Sequence, residues 1–402
     1  MSKPLAILSS WRSLPVDPKA QIAGLPLLLR AVLTLQRAGV ARIVVALPEE
    51  ARPDFDEVKA EPRVTADLQF TPLAADASPL SACPKGERCL LACYEWLGPP
   101  SLYRAMLDDK ADSLCAMGSD RAGSLMILTP SDGTDLTLAA LTDRDDMSPF
   151  DTTAHWLIDA STPGGQREAT RALFEDCRKP VDGIVSRHLN RHLSLFLSRH
   201  VVGLPISPNM MTAATFGVAV IAAAFATQGS YQAVATGAVL MQLNSILDGC
   251  DGELARVRFE GSKLGQWLDT VGDDLSNIVF WAALGFGAQA IEPYGSYYAL
   301  GGGIAAASNA FAAIANYLML AKIGSGDFYA LSRPDAPPSA GVLGVMVQFF
   351  ETILKQDFFL FLVMVLALAG VLQQALPVIA IGGVITMIHS TLRTIRFFRQ
   401  QG

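Results

Sequence analysis

Beyond residue 208 the chain carries apolar runs long enough to cross a bilayer, and these limit its fold more than any other feature. A spanning helix needs about 20 predominantly apolar residues. Six runs qualify, at about 210–228, 231–247, 264–290, 298–321, 358–372 and 376–397. The hydrocarbon core offers no water to backbone groups, so runs of this kind can only be helices packed together. An all-α bundle of six spans is expected over 208–402. The fourth run is filled with small residues (GGGIAAASNAFAA), which let helices approach closely. It is the expected packing face, and the expected face of a homodimer.

Inside this apolar half stand four carboxylates. Asp248 and Asp251 are three residues apart, and Asp269 and Asp273 four apart. On helices those intervals put each pair on one face. Carboxylates at membrane depth are costly unless they face a cavity and serve ions or chemistry. Four that converge suit two hard divalent cations, Mg²⁺ or Mn²⁺.

Written out, the stretch is D-x2-D-G-x2-A-R-x8-G-x3-D-x3-D, from Asp248 through Gly252, Ala255, Arg256 and Gly265 to Asp273. It resembles the signature of the CDP-alcohol phosphotransferases, integral-membrane enzymes that include phosphatidylinositol and phosphatidylserine synthases. The resemblance implies transfer of a substituted phosphate from a CDP-alcohol to a second alcohol, with release of CMP. It implies that Asp248, Asp251, Asp269 and Asp273 hold two metal ions and that Asp273 takes the proton of the attacking hydroxyl. By the same resemblance Arg256 clamps a phosphate oxygen, Gly252 and Ala255 leave room for the cytidine, and Gly265 lets the third helix come close. Pro208 and Thr212, at the head of the first run, border the nucleotide.

Basic residues orient the spans. Arg178, Lys179, Arg187, Arg191 and Arg199 precede the first run; Arg256, Arg258 and Lys263 lie between the second and third. Lys322, Arg333 and Lys355 lie between the fourth and fifth, and Arg393, Arg396 and Arg399 close the chain. The connections TQGSY, IEPYGSY and QQALP carry no Lys or Arg. Both termini and the aspartates are therefore expected on the cytoplasmic side of a multi-pass protein. Lys322, His389, Arg393 and Arg396 are candidates to hold an anionic acceptor.

Ahead of the first run, Leu189, Leu193, Phe196 and Leu197 recur at helical spacing with Arg and His on other faces. A linker and an amphipathic helix lying in the membrane interface are expected over 176–207. Here Lys179, Pro180, Asp182, Gly183, Ser186, Arg187, Asn190 and Arg191, then Pro208, Asn209 and Thr212, resemble the linker and first span of fusion enzymes. Those fusions join a cytidylyltransferase to a di-myo-inositol-phosphate-phosphate synthase. That resemblance implies inositol phosphate as acceptor, and CDP-inositol or CDP-diacylglycerol as donor.

Residues 1–175 read differently. PLAILSS and ARIVVALPEE are strands flanking the helical run LPLLLRAVLTLQRAGV, and CLLACYEWL, SLCAM and SLMILT are further strand candidates. Alternating strands and helices argue a parallel α/β sheet. Pro18-Lys19 and Gly24-Leu25-Pro26-Leu27-Leu28 resemble the start of sugar-phosphate nucleotidyltransferases. That family needs a glycine-rich phosphate loop, because only glycine lets backbone N–H groups wrap a triphosphate. Here Leu8 to Leu14 contains no glycine, and Glu95 stands where a strand-end metal-binding Asp is expected. The domain is expected to be degenerate, with Arg12 and Lys19 as the remaining candidates to hold an anion.

The net charge of −7 sits almost wholly in this first half, which argues against a nucleic-acid partner. The start MSKPLAILSSW has no basic region leading into a long apolar core, so no cleaved signal peptide is expected. Cys83, Cys89 and Cys93 crowd together without a nearby histidine and read as reduced thiols rather than a zinc site. Two rival classes can be weighed. A secondary transporter built on inverted repeats would show a second copy of the Asp pattern, and there is none; an inactive scaffold would have lost acids, and all four are present.

Overall fold

The structure is a computed structural model that describes residues 4–10, 16–73, 87–111, 114–116, 125–128, 148–179, 182–326 and 356–400. It divides into two compact units, one of residues 1–177 with Val257–Phe259 and one of residues 178–256 with 260–402. The glycine-less stretch from Trp11 to Leu14, with Arg12, lies outside the described residues, as do Cys83, Pro180, Arg333 and Lys355.

The first unit is a seven-stranded sheet with helices. Its strands are β1 (Leu5–Ser9), β2 (Arg42–Leu47), β3 (Asp67–Pro72), β4 (Cys89–Cys93), β5 (Leu114–Ala116), β6 (Leu125–Leu128) and β7 (Ser148–Pro149). Their order is β7-β5-β6-β4-β1-β2-β3. β1 lies parallel to β2 and β4, and β2 to β3, as the alternating pattern implies. β6 departs from the expected parallel sheet, because it runs antiparallel to both β4 and β5. Successive side chains of a strand point to opposite faces. Accordingly Ala6, Leu8, Ile43, Val45, Leu90 and Ala92 join one apolar core, and Leu5, Ile7, Val44, Ala46, Cys89 and Leu91 join the other. Both faces are covered, and LAILS and CLLAC are buried throughout. Among the described residues the unit also has helices α1 (Leu27–Ala38), α2 (Arg52–Ala60), α3 (Pro100–Asp108) and α4 (Pro163–Glu175). Gly39, at φ 103°, closes α1 in the left-handed conformation that favours glycine.

The second unit is helical. It contains α5 (Arg191–Val201), α6 (Pro208–Ala226), α7 (Tyr231–Val257), α8 (Lys263–Ala288), α9 (Gly295–Ile323), α10 (Gln356–Leu368) and α11 (Leu372–Arg399). Two starts are set by local chemistry. The Ser207 hydroxyl accepts from the Met210 N–H with Pro208 in the first turn, and the Ser262 hydroxyl accepts from the Gly265 N–H. Among the described residues, three helices are long and apolar enough to cross a membrane: α6, α9 and α11. α7 and α8 are 27 and 26 residues long but carry the acidic motif, and α10 is a shorter apolar helix.

One expected connection needs correction. The segment QQALP is not a connection: Gln373 to Pro377 lie within α11, and the break comes earlier, at Ala369 to Val371. Gly370, at φ 74°, makes that turn, so the fifth run ends as a helix at Leu368 rather than Leu372. Pro377 is accommodated inside the helix where Gly301 of α9 packs on the Leu376–Pro377 backbone; a Cβ on Gly301 would come within 2.8 Å of the Pro377 nitrogen. The segment before α6 is two-faced. Its buried face is polar, made of Asn190, Arg191, Ser194 and Ser198, while Leu189, Leu193 and Phe196 are exposed.

Candidate active site

The carboxylates reach one another because α6, α7 and α8 pack side by side. Asp248 and Asp251 occupy one face of α7, and Asp269 and Asp273 one face of α8. Asp248, Asp269 and Asp273 line a narrow cavity of about 10 Å³ together with Thr212, Thr215, Phe216, Asn244, Gly272 and Ser276. The carboxyl groups of Asp248 and Asp273 are hydrogen-bonded to each other. Asp251, buried beside them, accepts from the Thr212 hydroxyl and from the Gly252 backbone N–H.

Two carboxyls cannot both stay ionised in contact without a proton between them or a cation beside them. The donor set around the cavity is all oxygen: carboxylates, threonine and serine hydroxyls, and an amide. That chemistry fits a hard divalent cation. Among the described residues no three His, Cys, Asp or Glu side chains are already grouped as a metal centre.

The other motif residues fall around this cavity. Arg256 is exposed on α7, and its guanidinium lies over Gly252, 3.2 Å from where a Cβ would stand. Ala255 is half-buried one residue before it. A Cβ on Gly265 would stand 3.1 Å from Asn209 Oδ1, so this glycine lets the start of α8 meet the start of α6. Pro208 sits in the first turn of α6, one turn before Thr212. Lys322, His389, Arg393 and Arg396 are exposed, and none of them lines the cavity.

Glu253 carries no role in the sequence pattern, yet it is wholly buried on α7 between Asp251 and Ala255. Its Oε1 accepts from Arg191 Nη1 at 2.9 Å and from Ser194 Oγ at 2.6 Å, and its Oε2 from Ser198 Oγ at 2.7 Å. Arg191 also grips Asp182, through Nε at 2.9 Å and Nη2 at 3.1 Å. Burial would push the Asp182 carboxyl up, but the Arg191 guanidinium holds it below the usual carboxylate range. Nearby, Gln242 Nε2 donates to Asn190 Oδ1, and the Ser186 N–H is capped by Asp357 of α10. The only signal for Glu253 in the sequence is an acid inside an apolar run; nothing there names Arg191 as its partner.

In the first unit, Glu95 follows β4 and is fully buried. It accepts from the Ser10 hydroxyl, the Cys93 thiol and the Val16 N–H. Its carboxylate thus tethers the chain on either side of residues 11–15. Lys19 faces Asp54 at 3.2 Å and Glu57 at 3.0 Å, so its ammonium is matched within the unit.

Residues 205–389 match the family model described as CDP-alcohol phosphatidyltransferase, so the C-terminal region carries a domain of that enzyme family. A bifunctional IPC transferase and DIPP synthase from Aquifex aeolicus is 35% identical over 150 residues, which is 37% of this chain and 34% of that protein. The match therefore spans about a third of that relative's length. The crystal structure of Mycobacterium tuberculosis phosphatidylinositol phosphate synthase with CDP-DAG bound is similar over 51% of this chain and 94% of that one, at 16% identity and a TM-score of 0.38. The inositol-1-phosphate CTP transferase from T. maritima is similar over 40% of this chain and 91% of that one, at 14% identity and a TM-score of 0.32.

Proposed function

We propose that the domain at residues 205–389 moves a substituted phosphate from a CDP-alcohol to the hydroxyl of a second alcohol and releases CMP. One observation carries this reading: Asp248, Asp269 and Asp273 surround a single cavity, with Asp251 beside them and Asp248 in hydrogen-bond contact with Asp273. The four aspartates would hold two divalent cations, Mg²⁺ or Mn²⁺, which when bound neutralise charge on the diphosphate and on departing CMP.

The chain's own side chains do the rest. The acceptor oxygen forms a bond to the phosphorus bearing the donor alcohol, and the bond from that phosphorus to the CMP oxygen breaks. Asp273 takes the proton lost by the acceptor hydroxyl. Arg256, exposed at the rim, pairs with a phosphate oxygen. Thr212 donates to Asp251 from α6, so that carboxylate is oriented before any ligand arrives.

The acceptor we assign is inositol phosphate. The run from Lys179 to Arg191 supports it, as does identity to the bifunctional IPC transferase and DIPP synthase. The donor is CDP-diacylglycerol or CDP-inositol. The domain is read as six spans, α6 to α11, with both termini and the carboxylates on the cytoplasmic side and with α9 as the face of a homodimer. Residues 1–175 are read as a nucleotidyltransferase-like domain that has lost cytidylyl transfer.

The test is release of labelled CMP by the purified full-length protein, with and without Mg²⁺, across a panel of acceptor alcohols. Mg²⁺-dependent release with inositol phosphate is the expected result. Absence of CMP release with every donor and acceptor would end the proposal.

A further inference from the structure

α8 carries a further carboxylate that the transfer reading does not use. Asp274 follows Asp273 directly, and one residue turns a helix by about 100°. Asp269 and Asp273 therefore share one face of α8, while Trp267, Thr270 and Asp274, spaced three and four apart, share a neighbouring one. The carboxylate cavity is lined by Asp269 and Asp273 and not by Asp274.

That neighbouring face is gripped by the end of α9. The Tyr317 hydroxyl donates to Asp274 Oδ2 at 2.7 Å. The Tyr317 ring meets Trp267 edge-on, with centroids 5.8 Å apart and planes at 72°. Gly324, at φ 75°, closes α9 in the left-handed conformation. Gly326 then lies on α8: the Thr270 hydroxyl donates to its carbonyl at 2.6 Å, and a Cβ there would stand 2.7 Å from the Trp267 nitrogen. Three side chains of α8 are thus held from α9 and the turn after it, within the same two turns that carry Asp269 and Asp273.

A carboxylate inside an apolar helix is costly without a partner, and Tyr317 supplies one. The contact also supplies what the cavity needs. The donors of an ion site must be held within about 0.5 Å and 10–20° of their working geometry. Rotation of α8 beyond that would carry Asp269 and Asp273 off a shared ion. The bonds from Tyr317 to Asp274 and from Thr270 to Gly326 oppose such rotation.

We infer that Tyr317 and Asp274 are positioning residues: their hydrogen bond, with Thr270 and Trp267 in the same contact, fixes the rotation of α8 at which Asp269 and Asp273 face a divalent cation. The inference rests on the reading of those aspartates as cation ligands.

The experiment titrates Mn²⁺ into the full-length protein in detergent, without nucleotide, and reads free Mn²⁺ by electron paramagnetic resonance. Wild type should bind the ion, and Asp273→Asn should weaken it, which places it in the cavity. Tyr317→Phe, which removes one oxygen, should weaken it about tenfold or more, as should Asp274→Ala. Asp274→Asn still accepts the tyrosine proton and should stay close to wild type. If Tyr317→Phe does not fold, Thr270→Val makes the same comparison. A lowered unfolding temperature with unchanged Mn²⁺ affinity in Tyr317→Phe and Asp274→Ala would overturn the inference, leaving a structural contact only. Equal loss in Asp274→Asn and Asp274→Ala would overturn it too, by making the carboxylate itself a ligand. Mn²⁺ binding absent from wild type, or unchanged in Asp273→Asn, would remove the aspartate reading and the inference with it.

Discussion

Arg191 Nη1 stands 2.9 Å from Glu253 Oε1, which ties the segment before the first long apolar helix to the helix carrying Asp248 and Asp251. Glu253 has no exposed surface, so its charge depends on this partner and on two serine hydroxyls. Breaking a buried pair from one side costs more than replacing both partners. Arg191→Met should therefore destabilise the protein by about 3–5 kcal/mol, and Arg191→Met/Glu253→Leu by less. Thermal unfolding in detergent decides it; a single variant as stable as wild type would break the argument. The same network sets an acid limit. Asp182 has a folded-state value below its unfolded one, so its stabilisation is complete above about pH 4 and fades as pH falls through the lower, folded value. Asp182→Asn should remove that part of the acid sensitivity.

The carboxylates should act as a set. Asn at any one of Asp248, Asp251, Asp269 or Asp273 is expected to cut CMP release by about a hundredfold or more, while the variant still inserts and elutes as wild type. Near-normal turnover in two of the four would remove the assignment.

Orientation is open to labelling. Cysteines placed at Ser230 and Tyr294, between apolar helices, should react with an impermeant reagent from outside the cell. A cysteine at Gly261, between α7 and α8, should not. The opposite pattern would put the aspartates on the wrong side for a cytoplasmic nucleotide.

The first unit should not make a CDP-product. With CTP and inositol phosphate, the full chain is expected to release no pyrophosphate, because the Glu95 carboxylate is enclosed and spent on Ser10, Cys93 and Val16. Glu95→Gln should instead lower stability by about 1–3 kcal/mol. Measurable CTP-dependent pyrophosphate would restore a bifunctional enzyme.

Helix contact without side chains offers a further check. A Cβ on Gly302 would come within 2.4 Å of Gly285 Cα, so Gly302→Ala should cost roughly 1–3 kcal/mol. Gly303→Ala, where a Cβ meets open space, should be near neutral. Equal unfolding midpoints for the two variants would contradict the close approach of α8 and α9.

Local spacing made much of this protein legible. The aspartate pairs sit at helical intervals, and the strands of the first unit announce themselves as short apolar runs between turns. Long-range contacts were not legible: nothing in sequence pairs Arg191 with Glu253, or Gly285 with Gly302. Gln373 to Pro377 reads as a connection because two glutamines interrupt the apolar run and proline disfavours a helix interior, yet Gly370 is the residue that turns the chain. The segment before α6 buries a polar face and exposes leucines. Its pattern alone did not say which face would be buried, since near lipid the leucines need not turn inward.

The glycines of α8 have a mechanical consequence. Gly285 meets Gly302, and Gly287 lies against Ala226 and Gly229, all in the half of α8 away from Asp269 and Asp273. Backbone pressed on backbone leaves no side chain to repack, so that half acts as a fixed pivot. The opposite end of α8 begins beside Asn209, and a swing of the helix there would change the distance of Asp269 and Asp273 from Asp248 and Asp251.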